Sequence, residues 1–217
     1  RRLQKHTRMT TTHTPRRLLL PEAPSDDFDF HTHNLMAPPG KALVCLPPEV
    51  LLHPEAFTAR KGVMYSVGLH PWQTDTPLLA RQLLDRLPAW LAHPQVVAVG
   101  ECGLDALRGA DLKVQTEYLT EQLAWAEEYG LPVVLHVVRA FDRVLQLRKQ
   151  LRPHTPWTVH GFRGKPALAQ QLLRAGFDLS FGKRYNPEAY ALTPPEHRRH
   201  ETDDAADADA RFEAFGK

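Results

Sequence analysis

The strongest constraint on the fold is a regular alternation of short apolar runs with helical patterns. Seven runs, each five to seven residues long, are apolar along most of their length, which is typical of strands buried on both faces. They cover 28–33, 41–46, 62–68, 95–101, 131–136, 156–160 and 177–182. Amphipathic helical patterns lie between the later runs, at 83–91, 111–129, 141–151 and 166–175. This alternation predicts parallel strands joined by right-handed crossovers.

The number of runs favours a compact α/β fold of the (β/α)₈ TIM-barrel type. A run at 198–203 would supply the eighth strand, but it is polar, so we expect this strand to be distorted or frayed. The segment 28–217 is shorter than the usual ~200 residues of this fold, so an incomplete barrel is one possible outcome. An open, doubly wound sheet is the structural alternative.

The two ends of the chain differ from the middle. Residues 1–27 are basic and rich in threonine, and we expect a disordered N-terminal extension there, followed by a single barrel domain over 28–217. The C-terminus is short for such a barrel. A missing final helix would expose an apolar patch, so we expect a monomer or a weak homo-oligomer.

The composition and charge of the chain argue against several classes of function. A net charge of +2 gives no argument for a dedicated nucleic-acid-binding protein. No apolar run approaches the ~20 residues of a membrane span, so no membrane partner is expected. The two cysteines, Cys45 and Cys102, form no CxxC motif, and we interpret them as reduced thiols of a cytoplasmic protein. The 12 histidines call for a search for metal ligands.

Histidines and carboxylates gather where the apolar runs end. The carboxyl ends of parallel barrel strands face one rim, where active sites are built. The residues concerned are His31, His33, His70, Glu101, His136, His160 and Asp203. One such histidine is more often a hydrogen-bonded residue than a ligand, but the conjunction predicts a divalent-metal centre. Glu101 is the most informative, because a carboxylate ending a buried strand is costly unless it is paired or metal-bound.

A family resemblance covers about residues 28–204. The motifs DFHTH (29–33), VGLHP (67–71), VGECGLD (99–105), LH (135–136), HGF (160–162) and ETD (201–203) occur in this order. With them the chain resembles the TatD family of metal-dependent hydrolases, and most of all a compact bacterial branch. The family is associated with deoxyribonuclease or phosphodiesterase activity that requires divalent cations.

The resemblance implies two divalent ions, of zinc, manganese, nickel or magnesium. His31 and His33 would hold the first ion with Glu101 and Asp203. Glu101 would bridge to a second ion, which is held also by His136 and His160. The catalytic residues would be Glu101 and Asp203, with Asp203 orienting a water molecule and accepting its proton.

Substrate contacts are expected from basic and aromatic residues near the same rim. Arg139, Arg163 and Lys165 could contact phosphate oxygens, and His70 could touch the substrate or brace its own loop. Trp72 could stack on a base or simply pack at the rim. Other rim residues, as partners of the ligands or as a further contact, are Asp29, Asp105 and Tyr185.

The expected substrate is a phosphoester, with DNA as one candidate. Two alternatives remain open: a metal-dependent hydrolase acting on an amide or a small phosphoester, and an inactive or truncated metal-binding relative.

Overall fold

The computed structural model describes residues 16–22 and 25–203, and it forms a closed barrel of eight parallel strands in sequential order. The strands are β1 (Asp29–Thr32), β2 (Ala42–Cys45), β3 (Met64–Val67), β4 (Val96–Asp105), β5 (Val133–Val138), β6 (Trp157–Val159), β7 (Asp178–Phe181) and β8 (Arg198–His200). Asp29 pairs with His200, which closes the barrel between its first and last strands. The TIM-barrel prediction is confirmed, and the closed ring of eight strands rules out the open sheet.

Helices connect most of the strands. They are α1 (Pro48–Leu52), α2 (Pro77–Leu91), α3 (Leu112–Tyr129), α4 (Phe141–Leu151), α5 (Pro166–Arg174) and α6 (Pro187–Leu192). Proline stands in the first turn of α1, α2, α5 and α6, where its missing N–H costs no helical hydrogen bond. Asp111 caps the start of α3, and Gly130 ends it in the left-handed conformation. None of the described helices is both long and apolar enough to cross a membrane.

The buried apolar residues form two layers. One set packs with the helices outside the barrel. The other set, which fills the barrel interior, comprises Phe28, Phe30, Leu43, Met64, Val97, Ala98 and Val134. This interior cluster occupies the N-terminal part of the barrel and leaves the opposite rim to polar side chains.

The polar eighth strand is accommodated because each of its side chains has a partner. Arg199 donates to three backbone carbonyl oxygens and lies 3.5 Å from the Asp178 carboxylate. His200 hydrogen-bonds the Tyr190 hydroxyl at 2.8 Å, and the Arg198 guanidinium lies 4.4 Å from the centre of the same ring. Pairing removes most of the cost of burying these groups, so the strand stays in register with β7.

The fourth strand is longer than its sequence predicts. The apolar run predicts a strand that ends at Glu101, but β4 continues through two glycines to Asp105. Gly103 has a φ of +151°, and a β-carbon there would overlap the carbonyl oxygen of His136 on β5. Glycine thus permits a close approach of the two strands, and Glu101 lies in the middle of β4 instead of at its end.

We expect Gly103→Ala to lower the free energy of unfolding by about 3 kcal/mol, because β4 and β5 must separate. Urea denaturation would measure the loss. Gly130→Ala is the matched control, since its φ is also positive but a β-carbon there would enter open space. That change should cost only about 1 kcal/mol. Equal losses in the two variants would contradict the close-approach argument.

The segment before β1 lies against the N-terminal end of the barrel. Leu18 and Leu20 pack on the interior cluster, and the Arg17 guanidinium donates to the carbonyl oxygens of Leu91, His93 and Val96. The disordered extension over 1–27 stays a prediction, because its residues 1–15, 23 and 24 lie outside the described residues, as do residues 204–217.

Candidate metal centre

Glu101 occupies the centre of a cluster of histidines and carboxylates at the carboxyl rim. Its side chain projects from β4 and is buried. The two oxygens of its carboxylate face different groups of side chains. The first group comes from the end of β1 and from the segment after β8. The second comes from β5 and from the loops that follow β3 and β6. Glu101 therefore has the position of a bridging residue.

The first group surrounds the Oε2 atom of Glu101. The Nε2 atoms of His31 and His33 lie 3.4 and 3.5 Å from it. The same two nitrogens lie 3.3 and 3.4 Å from Oδ1 of Asp203. Backbone hydrogen bonds from His33 to Asp203 and from Asp203 to His31 fix Asp203 beside β1. Two imidazoles and two carboxylates thus face one small space.

The second group surrounds the Oε1 atom of Glu101. Nε2 of His160 lies 2.6 Å away, Nε2 of His70 lies 3.1 Å away and Nδ1 of His136 lies 3.2 Å away. His70 differs from the other two because its Nδ1 accepts the backbone N–H of Trp72, which leaves the proton on Nε2. His70 consequently donates to Glu101 and also braces its own loop.

Outer carboxylates orient the other two imidazoles. Asp105 Oδ2 lies 2.9 Å from Nε2 of His136, and Glu201 Oε2 lies 3.1 Å from Nδ1 of His160. Each carboxylate accepts the N–H of its histidine and turns the remaining lone pair towards Glu101. Lone pairs that face a carboxylate oxygen repel it unless a proton or a cation lies between them. Asp29 does not contact the cluster directly. Its carboxylate accepts hydrogen bonds from the backbone N–H and the hydroxyl of Thr202, the neighbour of Asp203.

The donor set fits divalent ions. A tetrahedral ion with bonds of 2.0–2.1 Å needs donor atoms about 3.3 Å apart, close to the separations in the first group. His31 is completely buried, and neither of its ring nitrogens has a hydrogen-bond partner, which is expensive for a polar side chain unless it binds an ion.

The electrostatics of the cluster also call for positive charge. Burial and His160 disfavour a charged His31, yet Glu101 and Asp203 raise its pKa. Hydrogen bonds to Asp203 and Glu101 raise the pKa of His33 to about 10. Burial opposes ionisation of Glu101, but the neighbouring histidines hold its pKa well below the usual range. Protons on the imidazoles or divalent cations could supply this charge.

Glu201 was missed by sequence reasoning, although it belongs to the ETD motif. It is completely buried, and besides His160 it accepts the backbone N–H of Gly161 at 2.6 Å. Burial raises the pKa of a carboxyl group, but His160 brings the pKa of Glu201 below its usual value. A carboxylate two residues before a candidate ligand, directly after the last strand, was the available signal.

We expect Glu201→Gln to weaken metal binding by about 10- to 100-fold, because glutamine is uncharged and has only one acceptor oxygen for the two N–H groups of His160 and Gly161. Competition with a chromogenic chelator would measure the affinity. Glu188→Gln, an exposed change on α6, serves as the control and should leave the affinity unchanged. An unaltered affinity in Glu201→Gln would show that the outer carboxylate is dispensable.

A cleft of about 910 Å³ opens over the cluster and contains the expected substrate residues. Arg139 and Arg163 are exposed on its edge, together with His70 and Trp72. Arg108, which also lines the cleft, was not predicted. Lys165 stands at the start of α5 outside this lining, and Tyr185 packs against Tyr190 at a ring distance of 5.5 Å.

Comparison with known proteins places the chain in a family. The family model described as TatD related DNase matches residues 48–211, well over half of the chain. The chain belongs to this family. The resemblance deduced from the motifs is thereby confirmed, and the candidate metal centre combines matched residues of the TatD family with His31 and His33, which precede the match.

Individual relatives support the same assignment. The chain is 38% identical over 125 residues to an uncharacterized metal-dependent hydrolase, YjjV of Escherichia coli K12, covering 54% of this chain and 46% of that protein. It is 36% identical over 147 residues to the 3'-5' ssDNA/RNA exonuclease TatD of Cronobacter sakazakii, covering 64% and 55%. The chain spans about half the length of these curated relatives.

Solved structures agree with the fold. The crystal structure of YjjV, a TatD homologue from Escherichia coli K12, superimposes with a TM-score of 0.64 and 29% identity, covering 82% of this chain and 79% of the other. A TatD family hydrolase from Entamoeba histolytica gives a TM-score of 0.59 at 23% identity, covering 75% and 60%, and supports the fold alone.

Proposed function

We propose that the chain is a divalent-metal-dependent hydrolase that cleaves phosphodiester bonds, with DNA as its substrate. The observation that carries this proposal is the position of Glu101, whose two oxygens face two separate groups of imidazole nitrogens. Dinuclear hydrolases use such a bridging carboxylate to keep two ions close together. Relatives of the chain named as exonucleases or metal-dependent hydrolases support the same reaction class.

Each candidate ligand has a place in this proposal. His31, His33, Glu101 and Asp203 would hold one ion, and Glu101, His136 and His160 would hold the other. Divalent ions there would make water nucleophilic at neutral pH and neutralise negative charge on the phosphate. The ions are those that accept nitrogen and oxygen donors, among them zinc, manganese, nickel and magnesium.

Asp203 is suited to act as the general base. Its side chain is 42% exposed to the cleft, whereas Glu101 is buried. His31 and His33 hold the pKa of Asp203 below its usual range in spite of partial burial, so the carboxylate is ionised at neutral pH. It can therefore orient an attacking water molecule by accepting its hydrogen bond, and then take the proton at a carboxylate oxygen.

The arginines on the rim would position the phosphate. Arg139 and Arg163 lie on the edge of the cleft beyond the ligands, and their guanidinium groups can each donate two parallel hydrogen bonds to phosphate oxygens. His70, which donates to Glu101, would steady the bridging carboxylate and also face the substrate. We also retain a cytoplasmic location, because Cys45 and Cys102 are free and buried, and a monomeric or weakly associating chain.

Hydrolysis of a fluorescently labelled single-stranded oligonucleotide tests the proposal. We expect cleavage by the metal-reconstituted protein, loss of cleavage in chelator, and loss in Asp203→Ala. A chromogenic phosphodiester and a chromogenic amide should be assayed in parallel. Cleavage of the amide alone would favour the alternative hydrolase, and bound metal without turnover of any substrate would indicate an inactive relative.

A further inference from the structure

A stacked pair, Arg108 and Trp72, forms one wall of the cleft. The Arg108 guanidinium carbon lies 3.6 Å from the centre of the indole ring. Trp72 is 40% exposed and Arg108 is exposed, so the pair is not part of the core. Leu107, 62% exposed, lies beside them on the same wall. The cleft therefore presents a guanidinium stacked over an indole ring, and an apolar side chain, next to the metal centre.

Hydrogen bonds fix the Trp72 indole and the Arg108 backbone. The indole N–H donates to Asp105 at 2.8 Å, and Asp105 in turn binds His136. The carbonyl oxygen of Arg108 accepts the Gln115 side-chain amide at 2.8 Å. Gly109, with a φ of +86°, lets this loop approach the turn that carries Trp72, because a β-carbon there would overlap the carbonyl oxygen of Pro71. An exposed pair fixed in this way is preorganised for a ligand.

We propose that the Arg108–Trp72 pair is the nucleobase-binding platform of this site, taking the base of the nucleotide whose phosphate is cleaved. A guanidinium that lies flat on an aromatic ring leaves its other face open, and nucleobases stack on such planes whatever their sequence. The opposite edge of the cleft carries Arg139 and Arg163 and suits phosphate. The two walls thus divide the recognition of a nucleotide between base and phosphate.

This inference rests on the proposed function, but binding can test it without turnover. Calorimetric titration would compare thymidine 5'-monophosphate with 2-deoxyribose 5-phosphate, which differ only in the base. We expect the native chain to prefer the nucleotide by on the order of tenfold. Arg108→Ala should abolish this preference. Arg108→Lys should abolish it as well, because lysine keeps the charge but lacks the planar group.

Arg174→Ala is the matched control, since Arg174 is an exposed arginine on α5 outside the cleft lining. It should keep the native preference. Equal affinities of the native chain for the two ligands would overturn the platform, and so would a preference that survives in Arg108→Ala or Arg108→Lys. If the base preference depends on Arg108 but no oligonucleotide is cleaved, the platform is supported and the proposed hydrolytic function fails.

Discussion

Replacing Glu101 by glutamine is expected to reduce phosphodiester hydrolysis by at least roughly a thousandfold. The amide has nearly the same shape as the carboxylate but carries no charge, and its NH₂ group would face one of the two groups of imidazole nitrogens. Since Glu101 contacts both groups, the variant should lose affinity for both ions. Steady-state kinetics at saturating metal and elemental analysis would measure the two effects.

A first control checks that the variant is folded. Because glutamine has nearly the same shape as glutamate, the circular dichroism spectrum of Glu101→Gln should match that of the native chain. Glu117→Gln, on α3 and outside the cleft lining, should keep full activity. A Glu101→Gln protein that retains two ions and native turnover would disprove the bridging role.

Asp203→Asn should lower kcat by about 100- to 10,000-fold while the second group of ligands stays intact. Asparagine can still offer an oxygen to an ion, but it cannot accept a proton from water. The backbone hydrogen bonds that join Asp203 to β1 do not depend on the side chain, so its position should persist. The measurement is kcat at saturating substrate and metal, with metal content determined on the same sample.

An exposed aspartate provides the comparison. Asp75→Asn, in the loop before α2, makes the same chemical change and should be silent. If Asp203→Asn turns over at the native rate with both ions bound, the proton must be accepted by another group, and the assignment of Asp203 as general base is wrong.

The six candidate ligands were predictable because parallel barrel strands bring their carboxyl ends to one rim. Residues that are far apart in the chain, such as His31 and His160, therefore had to approach each other once eight strands were assumed. The structure brings the other five around Glu101. The exact end of β4 was not predictable, because glycine weakens a strand pattern whether it ends the strand or allows a close neighbour.

Other features depend on tertiary partners that no local pattern reveals. The polarity of β8 suggested a frayed strand, but Asp178 and backbone carbonyl groups pair with Arg199 from distant parts of the chain. Arg108 gave no signal either, since a single arginine in a loop is usually solvated. Its significance comes from Trp72, which the fold brings against it.

The number of divalent ions bound per chain tests the central claim most directly. The protein would be stripped with chelator, reconstituted with zinc or manganese, freed of excess metal and analysed by mass spectrometry. The two-sided arrangement around Glu101 predicts two ions per chain, with oligonucleotide cleavage returning as they bind. A chain that takes up no metal after reconstitution would contradict the assignment of the site.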